Sequence, residues 1–412
     1  MATQLDQREA EAIQAIDPSV RERFVDGSVH GIMRQLRMEA PIHHCADSPY
    51  GPYWSITKHR DIIEIEALPA IFSSDEANGG VSILDQPDAS DQISIKAFIA
   101  MDPPQHTAKR RTVAPAFSPS EMTRLSDDIR QRTSDLLDKL PRDEEFNWVE
   151  RVSVPLTTDM LATLFNYPWE ERHKLITWSD AITSFDMIEN QPEERLAMMF
   201  EMATAFHKLW DQRSNAEATP DLLSMMIHSD ALGKMDAQEF LGNMALLIVG
   251  GNDTTRNSMS AIPVAFSQYP AEWEKILNDE SRIANASSEV IRWQTPVAHM
   301  RRTVTEDTEF RGHKFCKGDK IVLWYISANR DEAVFENANR FMVDRENARR
   351  HLSFGYGVHR CVGARLAELQ IQILISEMVK RKMNVELTGD IVRADNSFVY
   401  GILNVPVRIG SN

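Results

Sequence analysis

The segment His351–Gly363, HLSFGYGVHRCVG, constrains this chain more than any other. Three glycines (Gly355, Gly357 and Gly363) surround one cysteine, Cys361, which opens an amphipathic helix predicted from about Val362 to Lys382. Glycine permits positive φ and close backbone approach, so such a loop can wrap a sulfur with inward-pointing N–H groups. The positive end of the following helix favours a thiolate over a thiol. A thiolate held this way suits metal ligation. The plain alternative is a buried cysteine in a glycine turn, because free cysteine is often simply core. The density of glycine and basic residues around Cys361 weighs against that alternative.

Cysteine usage narrows the metal. Cys45, Cys316 and Cys361 are the only cysteines, an odd number at wide spacing that argues against a disulfide framework. CxxC, CxxCH and HExxH patterns are missing, which removes zinc ribbons, c-type haem attachment and zincin proteases. With no second ligand at zinc spacing, a single thiolate suggests haem. The formal charge of −16, from 61 acidic and 45 basic residues, disfavours nucleic acid as a partner. The polar start, MATQLDQREAEAIQAID, has no signal-peptide core, and no apolar stretch reaches transmembrane length. A soluble, cytoplasmic protein without a membrane span is expected.

Pattern along the chain predicts a mainly α fold with small β-sheets in a single domain spanning 1–412, with residues 1–30 as a loosely attached arm. A strand is predicted at Tyr53–Thr57, a long loop over Asn78–Ser94, and a mainly helical stretch from Met101 to Gly242 broken at Pro119, Pro141, Pro168, Pro192 and Pro220. A long apolar helix follows from about Asp236 to Gln268. At its middle stand Gly250, Gly251, Asn252, Asp253, Thr254 and Thr255, all poor interior helix formers. Lys320–Ile326 is rich in β-branched and aromatic residues and reads as strand, as does the tail Phe398–Val407.

FGYGVHRCVG resembles the FGxGxHxCxG haem signature of the cytochrome P450 superfamily at every specified position. The resemblance implies haem b with Cys361 as axial thiolate, Phe354 and Gly355 against the cofactor, and a helical bundle around a buried haem with a β-rich lobe. GGNDT resembles the family's oxygen-activation motif. Thr254 would then hold the oxygen, and Asp253 would deliver protons from solvent. Gly250 and Gly251 would leave room for dioxygen. Glu289 and Arg292 in EVIR have i, i+3 spacing and match the family's ExxR brace. Its third member is expected from the segment before the loop: Arg340 first, Arg345 second, the register being loosened by Ala338 in place of the usual proline. His106 and Arg110 resemble the family's HxxxR propionate clamp, which Arg302 and His359 would complete. Lys109, Arg111, Arg349, Arg350, Arg360 and Arg365 form a candidate basic patch over the thiolate side, suited to an acidic electron donor.

The resemblance covers roughly residues 40 to 410. It implies a monooxygenase of the bacterial type, using O2 and electrons from an iron–sulfur ferredoxin reduced by an NAD(P)H-dependent flavoprotein. LLIVGGNDTTRNSMS and PVAHMRRTVTED resemble the branch that hydroxylates terminal carbons of n-alkanes and fatty acids. Terminal selectivity calls for an apolar channel that enforces position by shape. Leu246, Val249, Gly250, Val297, Ala298, Met300, Phe398, Val399 and Tyr400 are expected to face the small hydrophobic substrate, with Ile83 and Leu84 capping it. The alternative within the class is a monooxygenase of terpenes or other compact rings. A haem-binding sensor without turnover, or a peroxide-driven enzyme, has no need of the Asp253–Thr254 pair.

Overall fold

The computed structural model describes residues 13–85 and 96–410. The first twelve residues of the expected arm and residues 86–94 of the expected loop lie outside them. The organising element is a helix, α8, with its neighbours numbered here in chain order: α1 Val29–Glu39, α2 His59–Glu66, α3 Gln105–Val113, α4 Pro119–Asp138, α5 Val154–Phe165, α6 His173–Thr183, α7 Pro192–Arg213, α8 Ala237–Gln268, α9 Pro270–Asn278, α10 Ile283–Gln294 and α11 Ala364–Lys380. The Asp236 carboxylate accepts the Glu239 N–H at 2.8 Å and caps α8. Tyr269–Pro270 stops it, since proline supplies no N–H to continue the ladder. Between those ends α8 runs unbroken through Gly250–Thr255 and Pro263, buried on most sides. Pro119 and Pro192 do not merely break helices. Each stands at the first turn of one, where its missing N–H costs nothing.

One apolar cluster joins α4, α5, α6, α7 and the first half of α8; a second joins α10, α11 and the far half of α8. The β-rich lobe is a five-stranded sheet of β1 Ile42–Cys45, β2 Tyr53–Ile56, β3 Phe72–Ser73, β4 Met300–Val304 and β5 Lys320–Leu323, in spatial order β1-β2-β5-β4-β3. β2 and β5 run parallel, with Trp54 opposite Ile321; β4 and β5 run antiparallel, with Arg302 opposite Ile321. This register sets Arg302 on the sheet facing the interior. The expected strand Lys320–Ile326 ends at Leu323, and the chain turns into a short helix at Tyr325. The tail pairs as two separate strands, Ile402–Asn404 and Pro406–Ile409, while Val399 makes only an isolated bridge to Val297. The arm is docked from Asp17 onward rather than loose: Phe24 and Val29 are fully buried, and Asp17 accepts the Tyr53 hydroxyl at 2.7 Å. No helix among the described residues is long and apolar enough to cross a membrane.

Candidate active site

A buried arginine brace fixes the floor of the site. Arg292 Nε and Nη2 donate to the two Glu289 oxygens at 2.6 and 2.7 Å, and its remaining N–H groups reach the carbonyls of Asn329, Ala338 and Arg340 at 2.7, 2.8 and 3.0 Å. All five donors are thereby used, which is what a fully buried guanidinium requires. Arg345, not Arg340, is the third member. Its Nε donates to both Glu289 oxygens at 3.1 Å, whereas Arg340 is exposed and offers only its backbone carbonyl. Asn329 carries the brace on to the cysteine loop, accepting the Leu352 N–H at 2.6 Å and donating to Ser353 at 2.8 Å.

The loop itself closes through the Cys361 N–H, which donates to Phe354 O at 2.8 Å. Gly357, at φ 65°, passes so close to α2 that a Cβ there would lie 2.5 Å from Glu66 O. The Cys361 sulfur faces a cavity of about 980 Å³. Burial pushes the thiol pKa up, although the Gly363 and Ala364 N–H groups, Arg110 and Arg360 oppose it. The N–H groups at the start of α11 thus favour the thiolate, in the direction expected, against the cost of burial.

One edge of the cavity is polar. His106, Arg110, Arg302, His359, Phe354 and Gly355 all line it with Cys361. The rings of His106 and His359 lie 4.1 Å apart, and His106 Nδ1 and both His359 nitrogens are buried without a protein partner. Burial, helped by Arg110, lowers the His106 pKa to about 4; burial with Arg302, His106 and Arg110 lowers that of His359 to about 2. Both rings are therefore neutral, each able to donate one N–H. Arg302 is engaged: its Nη2 donates to Glu66 at 2.9 Å, and the Tyr325 hydroxyl donates to the same oxygen at 2.7 Å. Among the described residues Glu66 Oε2 has no side-chain partner, and burial raises the Glu66 pKa despite Arg302, Tyr325 and the Tyr356 backbone. Sequence reasoning missed Glu66, which reads as one more charge on the helix HRDIIEIE.

The opposite wall is α8. Thr254 lines the cavity, and its hydroxyl donates to Gly250 O at 3.1 Å. A Cβ on Gly250 would meet nothing within 4 Å, so this glycine does leave open space; one on Gly251 would meet Leu161 Cδ1 at 2.7 Å, so that glycine serves the packing on α5. Asp253 faces away from the cavity. It is fully buried against α6, accepting Ser179 and Thr183 hydroxyls at 2.9 and 2.8 Å, and pairs with Arg256 at 3.0 Å. Thr183 does line the cavity, so a hydroxyl links it to this carboxylate.

Of the expected substrate residues, Ile83, Leu84, Leu246, Val249, Gly250, Val297, Met300, Phe398 and Val399 line the cavity. Ala298 and Tyr400 do not. Val297 and Val399 meet in an isolated bridge at the wall, and the residue that follows each of them turns behind it. There Tyr400 packs on Phe24 and lies 4.0 Å beneath the Arg393 guanidinium. Wall residues not foreseen include Phe98, Ile99, Ile182, Phe185, Ile188 and Leu196, whose apolar helical pattern looks like ordinary core.

The floor thus offers one sulfur, while the edge beside it offers neutral imidazoles with free nitrogens and two arginines. Those groups suit an iron-bearing macrocycle with acidic side groups, and this is a haem-thiolate site. Comparison with known proteins agrees. A cytochrome P450 family profile matches residues 283–408. Linalool 8-monooxygenase of Pseudomonas putida is 36% identical over 386 residues, covering 92% of this chain and 95% of that enzyme. Methyl-branched lipid omega-hydroxylase of Mycobacterium bovis is 31% identical over 411 residues, covering 95% and 92%. The solved structure of CYP153D17 from Sphingomonas sp. PAMC 26605 superposes with a TM-score of 0.91 at 52% identity, covering 96% of this chain and 99% of that one. The chain belongs to the cytochrome P450 family of monooxygenases, which carry haem b on a cysteine thiolate.

Proposed function

We propose that this monooxygenase hydroxylates the terminal carbon of a straight aliphatic chain, an n-alkane or a fatty acid, with electrons from a ferredoxin and its NAD(P)H-dependent reductase. The carrying observation is the cavity's extent and its mostly apolar wall. It reaches from Cys361 to the start of α7, where Pro192 and Glu193 are exposed, and the wall between is mostly apolar. A chain threaded along it presents one end to the cysteine side. When bound, haem supplies the activation of dioxygen and the insertion of one oxygen atom into the C–H bond. Cys361 would hold its iron, and His106, Arg110, Arg302 and His359 would hold its acidic groups.

The remaining steps belong to side chains. Thr254 stands at the wall with Gly250 open beside it, so its hydroxyl can orient a water or a bound oxygen. Asp253 reaches the cavity through Thr183 and is joined through Arg256 to the exposed Asp180, giving a carboxylate–hydroxyl route for protons from the surface. A Thr254→Ala protein is expected to consume NADH with little product; one that keeps tight coupling sinks this role. The exposed Arg111, Arg349, Arg350, Arg360 and Arg365, with exposed Tyr356 and Val358 on the cysteine loop, suit an acidic redox partner. Lys109 leaves that patch, being paired with Glu239.

The likeness to linalool 8-monooxygenase favours a second reading, a terpenoid substrate. Product analysis with n-alkanes, fatty acids and monoterpenes separates the two. Oxidation of the rings and terpenes alone would overturn the chain reading.

A further inference from the structure

Arg195 is a charge on the cavity wall that the reaction does not use. It lies in the first turn of α7 and lines the cavity beside Ile182, Ile188 and Leu196. Of the other charges there, Glu193 is exposed to solvent and the rest are accounted for. Arg302 pairs with Glu66, Asp85 pairs with Arg301 and Lys320, and Arg110 stands beside Cys361. Among the described residues Arg195 makes no ion pair. Burial alone lowers its pKa, and no acidic neighbour opposes that. Its one protein hydrogen bond runs from Nε to Ala181 O, at 3.2 Å, near the end of α6.

A cation in the first turn opposes the helix dipole, so Arg195 does not serve α7 itself. Capping α6 is the structural alternative. That contact uses only Nε, however, and fixes the plane of the guanidinium, while neither Nη group has a partner among the described residues. A half-buried cation on an apolar wall is costly without a counter-charge. The planar fork it presents matches a carboxylate, which can accept two parallel N–H donors. The rim position fits as well: Pro192 and Glu193, just before it, are exposed, and Cys361 lines the same cavity.

We infer that Arg195 anchors the carboxylate of a straight-chain acid, which enters methyl end first and lies with its far carbon toward Cys361. This rests on the straight-chain reading above and narrows it from alkanes to acids. Spin-state titration of the haem-loaded protein with dodecanoate, methyl dodecanoate and n-dodecane tests it. The ester keeps chain and shape but removes the charge, so this comparison needs no variant. The acid is expected to bind roughly ten- to a hundredfold more tightly than the ester, the range for a hydrogen-bonded charge pair. Arg195→Gln should bring that ratio close to one, and Arg195→Lys should restore part of it. Equal affinities for acid and ester in the unaltered protein would overturn the anchor. So would an Arg195→Gln protein that weakens all three ligands together and keeps the ratio, since capping α6 would explain that. The two readings fail differently: binding of ester and alkane without preference for the acid sinks the anchor alone, whereas no response to any of the three sinks the straight-chain reading with it.

Discussion

Replacing Arg345 by alanine should cost far more than replacing Arg340, although the two stand five residues apart in one irregular segment. Arg345 is 5% exposed. Besides both Glu289 oxygens it serves the carbonyls of Glu336, Asn337 and Arg340, so its loss takes a donor from three acceptors and a cation from a buried carboxylate. Breaking a buried, hydrogen-bonded ion pair from one side costs about 3–5 kcal/mol. The Arg340 side chain is exposed and its structural contribution is a carbonyl, which alanine retains; that substitution should stay within about 0.5 kcal/mol. At about 2.1 cal/mol/K per residue, 412 residues give an unfolding entropy near 0.9 kcal/mol/K. Arg345→Ala should therefore lower the melting temperature by about 3–6 °C and Arg340→Ala by less than about 1 °C. Urea midpoints of the haem-loaded proteins give a second measure that does not depend on reversible heating. Arg340→Ala falling as far as Arg345→Ala, or neither falling, would refute the assignment of the brace.

Cys361→Ala should still fold around its apolar clusters but lose the thiolate-type Soret band of the reduced carbon-monoxide complex; a retained band would exclude Cys361 as ligand. Gly250→Ala should raise stability by up to about 1 kcal/mol, because its Cβ meets open space and alanine is the better helix former, while turnover falls as the room beside Thr254 fills. Gly251→Ala should lose that gain against Leu161 Cδ1, and equal melting temperatures for the two variants would count against the packing described. Glu377 accepts from Lys380, Arg381 and Arg130; burial raises its pKa, yet these donors bring it down to about 2. A depressed carboxylate stabilises the fold above its unfolded pKa, about 4.3, and the contribution is lost as pH falls toward about 2. The urea midpoint of the unaltered protein should exceed that of Glu377→Gln at pH 7 and approach it below pH 4; a gap independent of pH would contradict the ion-pair account.

Residues whose chemistry dictates a fixed spacing were legible in the sequence. Cys361 in its glycine loop and the Glu289–Arg292 pair need only local geometry, so the chain itself displays them. Residues set by long-range register were not. Ala298 and Tyr400 were expected on the cavity wall by motif position, but which side chains turn inward there depends on one bridge between residues 297 and 399. The segment holding Arg340 and Arg345 has no periodicity, so nothing in it says which arginine turns in. The α6–α7 wall was hidden for another reason: Ile182, Ile188 and Leu196 follow the same apolar pattern whether they meet a core or a cavity. Glu66 and Arg195 were hidden because a charge on an amphipathic helix ordinarily faces water.

The distribution of charge links these parts. The chain carries a formal charge of −16, yet the cations at the site are left largely without carboxylate partners. Arg110 faces the thiol, Arg195 has no counter-ion among the described residues, and the arginines around the cysteine loop are exposed. An acidic protein could have neutralised each of these at small cost, as it does for Lys109 with Glu239 and for Arg130 with Glu377. Unpaired positive charge inside or beside a low-dielectric cavity is unfavourable for folding alone. Its concentration along one path, from the loop surface through the haem edge to the rim of α7, is what a fold needs if it must hold three anions at once. Those are an acidic electron donor outside, the carboxylates of a haem within, and an acid-headed substrate at the rim. Arg302 and Glu66 mark the one place where the pairing is internal. There Nη2 of Arg302 donates to Glu66 and Nη1 to the Arg301 carbonyl, so a propionate would share a guanidinium that the fold already holds in place.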